Sequence, residues 1–122
     1  MQLQESGEMY LETIYVLSKQ GDHVRSIDIS EHMGYSKPSV SRAVSLLKTG
    51  GYIIMDADNY IHLTDAGLEI AEKIYARHTV LSALLVRLGV SEATAAEDAC
   101  RMEHAISDES FQALKTYLSS QI

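Results

Sequence analysis

Gly34-Tyr35-Ser36-Lys37-Pro38-Ser39-Val40-Ser41-Arg42-Ala43-Val44 is the stretch whose reading decides the fold of this chain. Gly34 closes one short helix after Met33. Ser36-Lys37-Pro38 opens the next, with the chain's only proline at or near the first turn, where its missing N–H costs nothing. Val40, Ala43, Val44 and Leu47 recur at helical spacing and predict a buried face. Ser36, Lys37, Pro38, Ser39, Ser41 and Arg42 are left as a small, polar and basic surface at the start of that helix. Gly50-Gly51 stops it.

Outward from this centre the elements fall into order. Tyr10, Leu11, Ile14, Tyr15 and Leu17 predict a first helix from about Glu5 to Lys19, ended by Gly21-Asp22. Ser26 is a good N-cap for the short second helix. After Gly50-Gly51, Tyr52–Met55 and Tyr60–Leu63 read as two strands joined by an Asp56–Asn59 turn. Thr64 caps a long helix to about Leu88, carrying Ile70, Ala71, Ile74, Tyr75, Val80, Leu81 and Leu84, and Gly89 ends it. Ser91 opens a fifth helix. Ser107 caps a last one, with Phe111, Leu114 and Leu118 on its apolar face. Helix, short helix, tight turn, helix, hairpin is the order of a winged helix-turn-helix. The predicted fold is mainly α: an N-terminal winged helix-turn-helix with a two-stranded wing over residues 1–63, then a helical domain over 64–122.

Composition sets limits on function. At 122 residues with 46% hydrophobic content the chain can bury one core, or two small ones. Its longest apolar run, Leu81 to Val86, is interrupted by Ser82 and is far below the roughly 20 residues needed to span a bilayer. No basic n-region or signal core precedes the first helix, and there is one cysteine. These features point to a cytoplasmic protein with no membrane partner. The net charge of −7 speaks against nucleic acid, but His32 to Met55 contains Lys37, Arg42 and Lys48 and no acid. In a helix-turn-helix the second helix of the pair enters the major groove with its N-terminal residues on bases and phosphates. Ser36, Lys37, Pro38, Ser39, Ser41 and Arg42 are therefore the candidate DNA contacts. Arg42 suits a guanine edge or a phosphate, and Lys37 a phosphate.

The fifth helix carries Cys100-Arg101-Met102-Glu103-His104. Residues three and four apart share a helix face, so a thiolate, a carboxylate and an imidazole project from one turn. That mixture suits a borderline transition metal rather than calcium or magnesium. Taken singly, each such residue has an ordinary counterpart: Cys100 is usually a small buried hydrophobe, as Met9 is usually a core methionine, Glu12 a solvated acid and His78 an imidazole packed near Tyr75. Cys100 and His104 could also form a nucleophile and base, or a metal there could activate water. No oxyanion-hole signature accompanies them, and the chain is read as a non-enzyme.

Met9-Tyr10-Leu11-Glu12-Thr13-Ile14-Tyr15, the Ser36–Val44 run, Leu63-Thr64-Asp65-Ala66-Gly67, Arg77-His78, Cys100–His104 and Ser107-Asp108-Glu109 together resemble, in order and spacing, the diphtheria toxin repressor and manganese transport regulator family. The resemblance is to a two-domain form that ends before the family's third, SH3-like domain. It implies a metal-dependent transcriptional repressor, a homodimer through its helical second domain, that binds operator DNA when loaded and shuts down metal uptake, with no organic cofactor. Met9, Cys100, Glu103 and His104 match the iron-type primary site, completed by the Cys100 carbonyl. His78 matches one ancillary ligand, whereas Ser82 and Ala96 stand where that pattern has Glu and His. Glu12 matches a manganese-type ligand. The implied centre is a hybrid, with one ion on Met9, Cys100, Glu103 and His104 and a second on Glu12, His78 and a bridging Glu103. Soft Met and Cys donors rank Fe(II) first and Mn(II) second, with Zn(II), Co(II) or Ni(II) binding in vitro. A winged-helix regulator indifferent to metal is the alternative, and a metal-dependent hydrolase a more distant one.

Overall fold

A computed structural model describes residues 4–21 and 23–120. Asp22, expected to help end the first helix, lies outside the described residues. Six helices and one hairpin follow in the order α1 (Glu5–Gln20), α2 (Ser26–Met33), α3 (Lys37–Thr49), β1 (Ile53–Met55), β2 (Ile61–Leu63), α4 (Asp65–Arg87), α5 (Glu92–Ala105) and α6 (Asp108–Ser120). The mainly-α winged helix-turn-helix followed by helices is the fold the sequence predicts. The chain divides into two compact units, one up to Glu72 and one from Lys73, with the long α4 running through the division.

In the first unit Leu11, Ile14, Ile29, Val40, Ile53 and Ile61 are all at most 1% exposed and form one cluster with Tyr10, Val24, Val44, Leu47 and Ala71. Each such aliphatic side chain contributes about 1.5–3 kcal/mol on burial. The cluster joins α1, α2, α3 and the hairpin; Tyr10, Leu11, Ile14, Val40, Val44 and Leu47 in it are residues whose spacing predicted the helices, Val24 and Ile29 complete it, and Ala43 is only partly buried. Gly34 makes the tight turn: its φ of 73° is left-handed, and its N–H donates to Ser30 O at 2.9 Å. Ser36 caps α3 by accepting from the Ser39 N–H.

Two local expectations are corrected. The N-cap of α2 is Arg25, not Ser26. The Arg25 N–H donates to Asp28 Oδ2 at 2.8 Å, so the carboxylate three residues on takes the orphan donor and draws Ser26 into the helix. The strands are one residue shorter at their starts than predicted. Tyr52 turns its N–H back to Leu47 O at 3.0 Å instead of across the hairpin, so only its carbonyl, accepting from the opposite Thr64 N–H at 3.0 Å, continues the pairing. Register pairs Ile53 with Leu63, Ile54 with His62 and Met55 with Ile61. The wing tip is fastened by Asp56, which accepts from the Asp58 and Tyr60 amides and from His62 Nε2 at 2.9 Å. The His62 hydrogen bond above all holds the Asp56 carboxyl below its ordinary value of 3.8, with the two amides adding to it against partial desolvation.

Thr64 caps α4, as expected, by accepting from the Gly67 N–H, and its hydroxyl donates to Gly51 O at 2.7 Å. Gly67 is buried against the main chain of Tyr52, and a Cβ there would overlap Tyr52 O. Gly67→Ala is expected to destabilise the first unit by about 1–3 kcal/mol, the usual cost of overpacking against atoms that cannot yield. Urea unfolding monitored by circular dichroism measures it as a lower midpoint at an unchanged slope.

Candidate metal centre and nucleic-acid interface

Ser91 caps α5 by accepting from the Thr94 N–H. The helix then carries Ala95 and Ala99 inward, both wholly buried. The same periodicity, four residues further on, places Glu103 inward as well, and its side chain is 0% exposed. A carboxylate in that position costs several kcal/mol unless it is paired. His78, on α4, supplies one partner: its Nδ1 lies 2.9 Å from Glu103 Oε2. Glu103 Oε1 accepts no hydrogen bond among the described residues. It lies 3.3 Å from Nε2 of His104, whose side chain is 2% exposed. Donor atoms at such spacings can share one divalent ion, whose bonds to nitrogen and oxygen run about 2.0–2.2 Å. The residues therefore fit a metal: a wholly buried, acidic oxygen lacks a donor and faces an imidazole nitrogen.

Within the second unit the structure brings together three of the residues singled out as ligands: His78, Glu103 and His104. Cys100 is half-buried on the same helix, one turn before Glu103 and His104. Met9 and Glu12 lie three residues apart on α1 in the first unit, both half-buried. Ser82 is half-buried, and its Oγ has no hydrogen-bond partner among the described residues. Ala96 is exposed.

Sequence reading gave no role to Arg77. It is 6% exposed, and its Nη1 donates to the main-chain oxygens of Glu103 and Ile106 at 3.0 and 2.8 Å. Its Nη2 donates to Asp108 Oδ1. Lys73, first, and Arg77 hold the Asp108 carboxyl below its ordinary 3.8. The only sign of this in the sequence is that Arg77 immediately precedes His78.

On α3 of the first unit, Ser36, Lys37, Pro38, Ser39, Ser41 and Arg42 are all exposed, while Val40 and Val44 are buried. Lys37 opens the helix, where free amides and the helix dipole already favour an anion. A third cation, Arg25, was missed. Arg25 lies over the Tyr60 ring at 4.7 Å and donates to the Tyr60 hydroxyl at 3.1 Å, and His23 stacks on the same ring. These contacts depend on the hairpin returning beside Val24, whose carbonyl accepts from the Ile61 N–H at 2.7 Å. Nothing in the sequence announces that closure.

A family described as "Iron dependent repressor, N-terminal DNA binding domain" matches residues 2–61, and its "metal binding and dimerisation domain" matches residues 64–120. The chain belongs to the iron-dependent repressor family. Its members are transcriptional regulators rather than enzymes, of the diphtheria toxin repressor and manganese regulator type. The chain is 33% identical to an uncharacterised HTH-type transcriptional regulator of Methanocaldococcus jannaschii, over 95% of this chain and 94% of that protein. It is 32% identical to the diphtheria toxin repressor of Corynebacterium diphtheriae, over 88% of this chain but only 48% of that protein. The solved structure of the manganese regulator SloR superposes with a TM-score of 0.83 at 28% identity, covering 98% of this chain and 55% of that one. The chain therefore spans about half the length of these last two. No helix among the described residues is long and apolar enough to cross a membrane.

Proposed function

We propose that this chain is a metal-activated repressor that binds double-stranded operator DNA as a homodimer and controls metal-uptake genes in the cytoplasm. The observation that carries the proposal is the wholly buried Glu103 carboxylate, hydrogen-bonded to His78 and facing His104, in a chain of the iron-dependent repressor family. Residues 1–63 form the DNA-binding domain and 64–122 the metal-binding and dimerisation domain. Cys100, Glu103 and His104 hold the ion together with Met9, and Glu12, His78 and Glu103 take a second. Met9 and Glu12 enter on the strength of the sequence pattern. The ion supplies positive charge among acidic donors that otherwise repel one another. Soft sulfur donors place Fe(II) ahead of Mn(II), while Zn(II), Co(II) and Ni(II) bind in vitro.

The residues that meet DNA are Ser36, Lys37, Pro38, Ser39, Ser41 and Arg42. The α3 amides and Lys37 hold phosphate, the serines adjust register, and Arg42 reaches a base edge. In a dimer, two such helices must be spaced by about one turn of DNA. A ligand set drawn from both domains links metal occupancy to that spacing. Metal and DNA then raise one another's affinity by the same factor.

Anaerobic DNA binding tests this reading. Pooled genomic fragments and the promoter of the protein's own gene are titrated with Fe(II), Mn(II) and Zn(II) against a chelated control. Metal is expected to tighten operator binding by about 5–150-fold, the usual range for coupled sites. The Fe(II) midpoint is expected below that of Mn(II). Equal binding in chelator would leave a winged-helix regulator indifferent to metal.

A further inference from the structure

Arg77 is the buried charge in the second unit that the proposed ligand set does not use. A guanidinium stays protonated, so it is buried only where most of its donors are answered. Here Nη1 and Nη2 are answered from the end of α5 and the start of α6, while the buried Nε has no hydrogen-bond partner among the described residues. Helix α5 stops at Ala105, and its last four carbonyls have no intrahelical donor to accept from. The Ile106 N–H takes Met102 O at 3.0 Å. Arg77 Nη1 takes the next carbonyl, Glu103 O, and also Ile106 O just past the helix end. Its Nη2 reaches Asp108 in the first turn of α6, and Phe111 lies 5.6 Å from the guanidinium carbon. One side chain from the middle of α4 thus caps α5 and fastens the start of α6.

Two consecutive residues of α4 hold the same residue of α5. Arg77 bonds the main-chain oxygen of Glu103, and His78 bonds its carboxylate. One hydrogen bond holds the backbone of Glu103 and another holds its carboxylate, which restricts where Oε1 can point. His104 is the next residue on that turn and is placed by the same hold.

We infer that Arg77 is a positioning residue for the metal centre: by capping α5 at Glu103 and Ile106 it fixes where Glu103 and His104 present their donor atoms. This rests on the reading of those two residues as ligands. Lysine at this position keeps the charge but offers one ammonium in place of a planar fork, and cannot bond two carbonyls and a carboxylate from two nitrogens.

Co(II) is the probe, read anaerobically by its visible absorption on the full chain, with circular dichroism melts in chelator alongside. R77K is expected to keep a cooperative melt yet bind Co(II) about 10–100-fold more weakly, the range for partners that orient metal ligands, with a changed band shape. D108N removes the carboxylate charge from both the Nη2 contact and the Lys73 ion pair, and leaves the two Nη1 bonds in place. It is expected to lower the melt while Co(II) affinity and spectrum stay close to wild type. Wild-type Co(II) affinity and band shape in R77K would overturn the proposal. So would failure of R77K to fold, since Arg77 would then be a core residue with no separable role, and so would equal Co(II) losses in R77K and D108N. Failure of the wild-type chain to bind Co(II) would instead overturn the ligand reading on which the proposal rests.

Discussion

Glu103→Gln is expected to abolish metal binding while leaving the metal-free protein as stable as before, or more so. The amide has the shape of the carboxylate, so the buried site keeps its volume. Its oxygen still accepts from His78 Nδ1, 2.9 Å from Glu103 Oε2 in the wild type, and its NH2 sits against Nε2 of His104, 3.3 Å from Oε1 in the wild type. What disappears is a negative charge held at 0% exposure with one oxygen lacking a hydrogen bond. A buried charge with an incomplete set of partners is costly, so losing it while the hydrogen bond to His78 is kept is expected to be neutral or favourable to folding. The metal site, however, loses its buried anion. Metal affinity is expected to fall by more than about 100-fold, beyond the effect of disturbing an outer partner. Melting with and without Mn(II) or Fe(II) measures both effects. At about a hundred times the dissociation constant, metal adds about 2.7 kcal/mol to the wild-type protein, and it should add nothing to the variant. The proposed dimer is expected to persist in sedimentation, which separates a sensing site from one that builds the fold. An unchanged metal-induced rise in melting temperature would count against Glu103 as a ligand.

Arg42→Ala should produce the second large effect, on DNA. Arg42 is exposed on a helix whose buried face is Val40, Val44 and Leu47, so its loss leaves the core untouched. The expected cost is about 1–3 kcal/mol per half-site, with relaxed preference at the base it reads. A dimer carries that cost twice. Lys37→Ala should behave differently: it weakens binding to all sequences alike and lowers the salt slope by about one unit for each phosphate left without its cation. Neither change should alter metal affinity measured without DNA. Titrations at several salt concentrations, on operator and on scrambled duplex, tell a base contact from a phosphate contact. If Arg42→Ala lowered operator and scrambled binding equally, Arg42 would be a phosphate contact only.

How much of this could be read before folding depends on the distance over which each feature is decided. The helix-turn-helix was legible because its signals are local. Val40, Val44 and Leu47 are spaced for one face, Gly34 supplies a left-handed turn, and Ser36 caps its own helix. The Cys100–His104 turn was legible for the same reason, since one helix places its residues on a common face. The misplaced cap of α2 shows the limit. Arg25, Ser26 and Asp28 lie within four residues, yet the choice of cap turns on which donor the Asp28 carboxylate reaches.

Sequence alone determined the residue types and their periodicity: the order of the elements, the buried faces of α1 and α3, a basic stretch without acids around α3, and a turn of mixed sulfur, oxygen and nitrogen donors. These follow from spacing within single helices and strands, and spacing is written in the chain. Tyr75, expected on the apolar face of α4, is exposed because the described residues do not fully cover that face of α4 there. Tertiary structure decided what depends on two elements meeting. It decided that the Glu103 carboxylate is wholly buried, that His78 rather than water answers one of its oxygens, that Arg77 caps a helix from which it is separated by a loop, that Gly67 must yield to Tyr52, and that Arg25 shares the Tyr60 ring with His23. A residue's solvation, and with it the energy of its charge, is set by neighbours distant in sequence, and those neighbours exist only once the chain has packed.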